Sequence, residues 1–221
     1  MAGESLPYRD RTEAGQVLAR QLESYRGAPG LIVLGLPRGG VPVAAEVARH
    51  LSAPLDVFIV RKLGHPLHGE YAIGAIASGG VRVLKDVPVL PVPGRSLEAI
   101  EARERQELAR REALYRGSRP PLRVDGATVL VVDDGLATGA TMEAAVQALR
   151  QLRPAHLCVA VPVGSIEACE ALQAMADRVV CPARPEHFRA VSLWYRHFPQ
   201  TGDEEVQQLL HEMAHAPAPG A

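Results

Sequence analysis

Two adjacent carboxylates follow the apolar segment Val129–Val132. They are Asp133 and Asp134, and the residues after them, 135–141, are small, apolar or hydroxylic. A short apolar run bounded by turn residues is typical of a strand buried on both faces, so the pattern predicts a strand, a loop and a helix that begins near Met142. Ligands of open α/β sheets bind at the carboxyl ends of such strands. The two aspartates are therefore candidates for ligand binding.

The loop after the aspartates has the chemistry of a phosphate site. Thr138 and Thr141 offer hydroxyl donors, and Gly139 and Ala140 leave backbone N–H groups open to an anion. No lysine follows the glycine, which excludes a Walker A loop for a nucleoside triphosphate. A plain turn and a helix cap use the same residue types, but the complete string of strand, acid pair and paired threonines favours a ligand loop.

An acid pair and a phosphate loop can serve one ligand only if that ligand carries two different groups. Carboxylates accept hydrogen bonds from vicinal hydroxyls or hold Mg²⁺. A ribose 5-phosphate places a diol several bonds away from a phosphate. We therefore expect Asp133 and Asp134 at the diol and Thr138–Thr141 at the phosphate.

A second loop of this kind follows the first apolar run of the chain. Leu31–Leu36 is such a run, and Pro37–Gly40 after it contains one arginine and two glycines. Helical spacing predicts a helix over Val41–Leu51, and a further apolar run predicts a strand at Leu55–Val60. The order of strand, loop, helix and strand predicts that the two strands pair in parallel. The basic residues Arg61–Lys62 follow directly.

The rest of the chain repeats this order of elements. Apolar runs at 157–163 and 178–181 alternate with a helical segment at 165–175. A hairpin is predicted around Gly79–Gly80, and alternating glutamates and arginines predict a helix over Ser96–Tyr115. We predict an α/β fold with one open, mainly parallel twisted sheet and helices on both faces.

Residues 133–141, Asp-Asp-Gly-Leu-Ala-Thr-Gly-Ala-Thr, resemble the phosphoribosyl-diphosphate-binding motif of the type I phosphoribosyltransferases. Many members carry a second glycine where this chain has Ala140. Pro37–Gly40 is similar to the family's pyrophosphate-binding loop, and two segments within 60–75 are similar to its mobile catalytic loop and the flanking strands. The order and spacing of these segments agree with the family over residues 30–182.

The resemblance implies a Mg²⁺-dependent displacement at C1 of phosphoribosyl diphosphate, in which a nitrogenous base enters and pyrophosphate leaves. The donor-binding residues that it implies are Asp133, Asp134, Gly135, Ala137, Thr138, Gly139, Ala140, Thr141, Arg38, Gly39 and Gly40. The implied catalytic residues are Asp133, Asp134, Lys62 and Arg61. The implied Mg²⁺ ligands are Asp133 and Asp134, directly or through water. A loop near Lys62 that closes would exclude water from the donor.

The resemblance also suggests how the chain is organised. A type I phosphoribosyltransferase-like core is expected over residues 1–182, with the helix predicted at 10–26 as a further part of a small hood. A C-terminal hood and helix are expected over 183–213, followed by a disordered tail over 214–221. Aromatic residues are concentrated in the hood, and Phe188 is the residue that we expect to stack on the base. Alternatively, these aromatic residues pin the C-terminal segment to the core.

Composition excludes several other classes of protein. The chain has 221 residues, 47% of them hydrophobic, and a formal net charge of −1. These values are typical of a soluble globular domain and disfavour a bulk electrostatic nucleic-acid binder. No apolar run reaches the roughly 18 residues of a membrane span. No signal peptide is visible and the three cysteines form no CxxC pair, so we expect a cytoplasmic protein.

One alternative function keeps the same ligand site. A phosphoribosyl-diphosphate sensor that regulates transcription or attenuation through RNA or DNA should show a basic face or an added DNA-binding domain. The sequence offers neither, which favours a transferase of nucleobase salvage with small-molecule substrates. A homo-oligomer is compatible with the sequence.

Two histidine patterns suggest metal sites but have simpler explanations. His211–His215 matches the HExxH pattern of zinc proteases, yet it ends six residues before the last residue and leaves no room for a third ligand. His65 and His68 belong to a glycine- and proline-rich loop, where we expect them to face solvent or to take part in closure over a substrate.

Overall fold

Strands from the two halves of the chain lie next to each other at the centre of the main sheet. The structure, a computed structural model, describes residues 6–64, 72–84 and 94–215. Within these residues the helices are α1 (Arg11–Gln21), α2 (Gly40–Leu51), α3 (Gly94–Arg116), α4 (Ala140–Gln151), α5 (Ile166–Gln173) and α6 (Asp203–His215). The strands are β1 (Ile32–Gly35), β2 (Leu55–Val57), β3 (Val60–Gly64), β4 (Ala72–Ala77), β5 (Val81–Leu84), β6 (Thr128–Val132), β7 (His156–Ala160) and β8 (Arg178–Val180).

The main sheet has the strand order β2-β1-β6-β7-β8, and all of its pairs are parallel. Strands β1 and β6 pair in register, with Ile32 opposite Val129 and Gly35 opposite Val132. The chain leaves β1 towards β2 on one side and leaves β6 towards β7 on the other. The connections after β1 and β6 therefore diverge and leave a crevice, which is where open α/β sheets bind ligands.

Alternate side chains of these strands face opposite layers of helices. Val33 and Leu130 belong to a buried cluster with helices α1, α2, α3 and α6, whereas Leu34 and Val131 belong to a second cluster with α4 and α5. A strand that is covered on both faces needs apolar residues at every position, which explains the uninterrupted apolar runs. The prediction of an open parallel sheet with helices on both faces is confirmed.

A small antiparallel sheet of β3, β4 and β5 packs against α3 and α4. The predicted single strand over Leu55–Val60 is wrong, because β2 ends at Val57 and Val60 already belongs to this second sheet. The chain crosses between the sheets at two buried residues: the N–H of Phe58 donates to the carbonyl of Gly35, and that of Ile59 donates to Oγ of Ser78. Since these linking residues are as apolar as a strand, the sequence does not reveal the break.

The terminal segments meet in one small cluster, as a hood requires. The backbone N–H of Tyr8 donates to the carbonyl of Trp194 at 2.9 Å, and that of Arg196 donates to the carbonyl of Tyr8 at 2.7 Å. The rings of Tyr8 and Tyr195 lie 5.8 Å apart, and the Tyr8 hydroxyl donates to the carbonyl of Pro162 beyond β7. Segments from both ends of the described chain are thereby joined to the carboxyl end of the main sheet.

Several element boundaries differ from the predicted ones. Residues 214 and 215, which were expected to belong to a disordered tail, form the end of α6, where Nδ1 of His215 lies 2.8 Å from the carbonyl oxygen of His211. Residues 216–221 lie outside the described residues, as do 65–71, which include His65 and His68. None of the helices in the described parts of the chain is both long and apolar enough to cross a bilayer.

Buried charge connects α3 to the edge of the main sheet. Asp56 of β2 is 9% exposed and accepts hydrogen bonds of 3.1 to 3.2 Å from Nε and Nη2 of Arg116. A planar guanidinium that meets a carboxylate in this way holds its geometry well. The pair therefore fixes the end of α3, the helix that covers the small sheet.

Replacing Asp56 with alanine should strongly destabilise the fold, because it leaves the Arg116 guanidinium without its carboxylate in a buried position. We expect D56A to lower the free energy of unfolding by about 3 kcal/mol in urea titrations. The matched control is D125A, which removes an exposed partner of Arg153 and should cost less than about 0.5 kcal/mol. Equal losses in the two variants would contradict the assigned role of Asp56.

Candidate functional site at the β1–β6 switch point

Glycines allow the loop after β1 to lie directly against the end of β6. A Cβ atom on Gly40 would lie 2.7 Å from the carbonyl oxygen of Val132, and one on Gly39 would lie 2.1 Å from Oδ2 of Asp134. Real side chains do not pack this closely, so any Cβ here would push the loop away. The two predicted loops are therefore brought into contact, and the contact requires glycine at both positions.

The acid pair occupies a largely buried position at the end of β6. Oδ1 of Asp133 accepts a hydrogen bond of 2.9 Å from the backbone N–H of Asp134. Burial, and then repulsion by the Asp134 carboxylate, raise the pKa of Asp133 well above its ordinary value. Burial also raises the pKa of Asp134, although Arg11 opposes this shift. The pair concentrates negative charge that a cation or the hydroxyl groups of a ligand would stabilise.

Helix α1 contributes an arginine to the acid pair. Nε of Arg11 donates to Oδ2 of Asp134 at 2.9 Å, and the two side chains are only 11% and 15% exposed. Nη1 of Arg11 donates to the carbonyl oxygen of Pro199 at 2.8 Å, and the guanidinium carbon lies 3.8 Å from the centroid of the Phe198 ring. Sequence reasoning missed Arg11, because 123 positions separate it from Asp134 and no local pattern marks it.

The loop at 135–139 brings the N-terminus of α4 to the same place. Gly139 has a φ of 74°, which glycine adopts without strain, and α4 begins at the next residue, two positions before the predicted start. Among the described residues no side chain caps this helix well, since Oγ1 of Thr138 is 3.5 Å from the N–H of Ala140. The first N–H groups and the positive end of the helix dipole are therefore available to an anion.

Ser165, the N-cap residue of α5, supports this loop. Its hydroxyl donates to the carbonyl of Ala137 at 2.9 Å and accepts from the N–H of Ala168 at 3.2 Å. A Cβ atom on Gly139 would lie only 3.2 Å from the side chain of Ala168. The loop is therefore packed against a helix on one side and leaves its other side open.

Two cavities open beside the acid pair. The first, which we call the loop cavity, has a volume of about 170 Å³ and is lined by Asp133, residues 135–142 and Val191. The second, which we call the arginine cavity, has a volume of about 380 Å³ and is lined by Arg11, Arg38, Gly39, Asp134 and residues 198–201. The two carboxylates thus line different cavities, although they are adjacent in sequence.

Comparison with known proteins identifies the family of the chain. The sequence profile of the phosphoribosyl transferase domain matches residues 12–192. The chain belongs to this family. It is similar to the crystal structure of TT1426 from Thermus thermophilus, with 45% identity and a TM-score of 0.83 over 93% of this chain and 98% of that one.

A curated relative in Mycobacterium tuberculosis strain H37Rv, whose name assigns it provisionally as a phosphoribosyl transferase, is 45% identical over 203 residues. That stretch is 91% of this chain and 46% of the relative. The chain therefore spans about half the length of the curated relative that it matches.

The predicted basic residues of this phosphoribosyltransferase domain lie in different surroundings. Arg38 lines the arginine cavity, and its Nη1 lies 3.6 Å from Oδ1 of Asp203, with both side chains more than one third exposed. Arg61 is held by Glu104 of α3, with Nη2 2.6 Å from Oε2. Lys62 is exposed on β3. No contact among the described residues brings Arg61 to the acid pair, and its role as a catalytic residue stays a prediction.

The aromatic residue chosen for the base also differs from the one at the cavity. Phe188 stacks on Trp194, with ring centroids 6.2 Å apart, and lines neither of the two cavities. Phe198 lines the arginine cavity and covers one face of Arg11. Both phenylalanines belong to the same aromatic cluster in the sequence, which gives no basis for choosing between them.

The close approach of Gly39 to the acid pair can be tested with one added methyl group. We expect G39A to lower the free energy of unfolding by about 1 to 3 kcal/mol in urea titrations, because the new Cβ overlaps the Asp134 carboxylate. The matched control is G202A, where a Cβ would meet nothing within 4 Å. A G39A protein as stable as G202A would show that the loop does not rest on Asp134.

Proposed function

We propose that this domain binds phosphoribosyl diphosphate with Mg²⁺ and transfers the 5-phosphoribosyl group to a nitrogenous base, releasing pyrophosphate. The observation that carries the proposal is the loop cavity, in which Asp133 and the N-terminus of α4 line one space at the switch point of the sheet. Few ligands need a carboxylate and an anion-binding helix terminus together. A ribose 5-phosphate does, since its hydroxyls suit the first group and its phosphate suits the second.

In this proposal the 5-phosphate meets the backbone N–H groups and hydroxyls of residues 138–141. Asp133 accepts hydrogen bonds from the ribose hydroxyls and orients C1 towards the acceptor. The positive character that develops on the ribose during glycosyl transfer is tolerated beside a carboxylate. Ser165 keeps the loop in place through Ala137, so the phosphate end of the ligand is held by a preformed site.

The donor set of the acid pair fits Mg²⁺. No group of three or more histidine, cysteine, aspartate or glutamate side chains in the described parts of the chain could hold a metal without help. Mg²⁺ is commonly bound through one or two carboxylates together with the phosphates of a substrate, and burial with repulsion makes Asp133 and Asp134 a favourable pair for a cation. When bound there, Mg²⁺ would supply neutralisation of the charge on the leaving pyrophosphate.

The arginine cavity has the composition expected for the leaving group and the acceptor. Arg38 and Gly39 line this cavity, where the guanidinium and the backbone N–H would stabilise the departing pyrophosphate. Phe198 also lines it and would stack on a planar base, so we propose it in place of Phe188. We keep Lys62, which is exposed on β3, as a catalytic residue. The identity of the base, a role in nucleobase salvage and a cytoplasmic location stay predictions.

Replacing Asp133 with asparagine should weaken binding of the ligand and, at the same time, stabilise the fold. Because the pKa of Asp133 is raised in the folded protein, its ionised form destabilises the fold at neutral pH, and D133N should unfold at a higher temperature than the wild type. The same variant should bind phosphoribosyl diphosphate with Mg²⁺ at least about 100-fold more weakly in calorimetric titrations, because an amide offers one acceptor oxygen instead of two and no negative charge for the metal.

The control variant is D125N, at an exposed carboxylate that pairs with Arg153, and it should change neither property. Unchanged ligand affinity in D133N would contradict the proposed site. A panel of bases scored for pyrophosphate release then tests the chemistry. Binding of the donor without release by any base would identify the sensor function instead.

A further inference from the structure

We propose that Cys169 and Cys181 form a reversible disulfide when hydrogen peroxide oxidises the protein, and that this bond pulls α5 away from residues 135–139, which we call the phosphate loop. The two cysteines belong to different elements, because Cys169 lies in α5 and Cys181 directly follows β8. The bond itself is independent of the ligand. Its effect on binding rests on the proposed function, so the two are tested separately.

Both sulfur atoms lie against the same glycine. A Cβ atom on Gly164 would lie 3.1 Å from Sγ of Cys169 and 3.4 Å from Sγ of Cys181. Glycine at this position leaves room for the two thiols, which are hydrogen-bonded to each other. Two thiols in contact need only a short approach to reach the length of a disulfide, about 2.05 Å. The fold therefore brings together two cysteines that no sequence pattern pairs.

The pair combines a nucleophilic thiol with a thiol that keeps its proton. Hydrogen bonding to the Cys181 thiol lowers the pKa of Cys169 to about 7, although burial opposes this shift. The interaction with Cys169, together with burial, raises the pKa of Cys181. Thiolates attack oxidants and thiols do not. We therefore assign Cys169 as the nucleophile and Cys181 as the thiol that completes the disulfide.

Burial restricts the oxidant to a small molecule. Cys169 is fully buried, and Cys181 is 9% exposed. Hydrogen peroxide is close to water in size, so it needs only a small local opening. We assign its entry to the side of β8, because this strand lies at the edge of the main sheet.

The oxidation consumes one hydrogen peroxide and has two steps. The Cys169 thiolate attacks an oxygen atom, so an S–O bond forms, the O–O bond breaks, and the departing hydroxide takes the proton of Cys181. The Cys181 thiolate then attacks the sulfur of the sulfenic acid, so the S–S bond forms and the S–O bond breaks. The second hydroxide takes the proton that Cys169 had released. Two thiols and one peroxide thus give one disulfide and two waters.

The position of Cys181 determines the direction in which α5 moves. At the carboxyl edge of the sheet, Gly164 lies between the connection after β6 and the segment after β8. It forms a bridge with Leu136 on one side, and its N–H donates to the carbonyl of Ala183 at 3.0 Å on the other. Cys181 belongs to the second side. The disulfide draws Cys169 towards that side, so the first turn of α5 moves away from the phosphate loop.

The start of α5 holds the phosphate loop at two points. The Ser165 hydroxyl donates to the carbonyl of Ala137 at 2.9 Å, and the side chain of Ala168 lies 3.2 Å from the position of a Cβ atom on Gly139. The N–H of Cys169 donates to the carbonyl of Ser165 at 3.1 Å, so these residues move as one turn. Closely packed contacts transmit such a shift. The disulfide therefore loosens the loop that leads to the N-terminus of α4.

Mass spectrometry tests the bond itself. The folded protein is treated with hydrogen peroxide, its remaining thiols are alkylated, and it is digested without reductant. We expect the peptides that carry Cys169 and Cys181 to be joined with the loss of two hydrogen atoms, and dithiothreitol to separate them. The control is C158A, which should form the same bond, because burial raises the pKa of Cys158 to about 11. Free thiols at Cys169 and Cys181 after treatment, or Cys158 in the bond, would overturn the proposal.

Hydrogen exchange without a ligand tests the movement of α5. The N–H of Ser165 donates to the carbonyl of Leu136 at 2.9 Å and so joins the start of α5 to the phosphate loop. We expect oxidation to speed exchange at Ser165 at least about threefold and dithiothreitol to restore it. C169A lacks the nucleophile and should show no change. If C169A does not fold, C181A replaces it, because Cys169 then loses the hydrogen bond that lowers its pKa. Unchanged exchange in the oxidised wild type would contradict the proposed movement.

Calorimetry with ribose 5-phosphate and Mg²⁺ connects the bond to the proposed function. Oxidation of the wild type should raise the Kd about tenfold, and dithiothreitol should restore it. C169A should have the same Kd before and after treatment. An unchanged or lower Kd in the oxidised wild type would overturn the proposed effect on binding. If the reduced protein does not bind ribose 5-phosphate, the proposed function fails, whereas the mass and exchange measurements still decide whether the disulfide forms and moves α5.

Discussion

The parallel pairing of β1 with β6 is the constraint on which the site depends. Because Gly35 lies opposite Val132, the two strands end at the same level, and the two connections that follow them must share one edge of the sheet. The chain then turns away in opposite directions, so this edge is left open. Apart from Lys62 on β3, every group that we assign to the ligand comes either from these two connections or from terminal segments that pack against them. A shift of this register would separate the acid pair from the loop that rests on it.

The electrostatics of the site oppose the stability of the fold. Two neighbouring carboxylates are largely buried, and one of them has no ion-pair partner among the described residues. Arg11 pairs with Asp134, whereas Asp133 forms no ion pair among the described residues and lies in the same cavity as a helix N-terminus without a good cap. The buried carboxylate and the poorly capped helix both lower the stability of the fold when no ligand is bound. A ligand with hydroxyl groups and a phosphate would supply hydrogen-bond partners to both. This is the pattern expected of a site that is shaped for binding.

Features that lie within one continuous segment could be predicted from the sequence, whereas contacts between distant segments could not. The order of strand, acid pair, small-residue loop and helix lies within one continuous segment, and apolar runs mark the strands of the main sheet. The break at Phe58 and Ile59 is hidden because linking residues between two sheets are as buried as strand residues. Arg11 and Phe198 act through contacts between distant segments, which single-sequence patterns do not encode. The catalytic role of Arg61 was implied by a family resemblance, and the sequence did not show that its side chain pairs with Glu104 of α3.

The central claim is that Asp133 and the N-terminus of α4 hold the two ends of one sugar phosphate. A crystal structure of the protein soaked with phosphoribosyl diphosphate and Mg²⁺ tests it most directly. The account predicts the 5-phosphate at the backbone N–H groups of residues 138–141 and the ribose hydroxyls at Asp133. A ligand bound with its phosphate away from this loop, or with its hydroxyls away from Asp133, would contradict the claim.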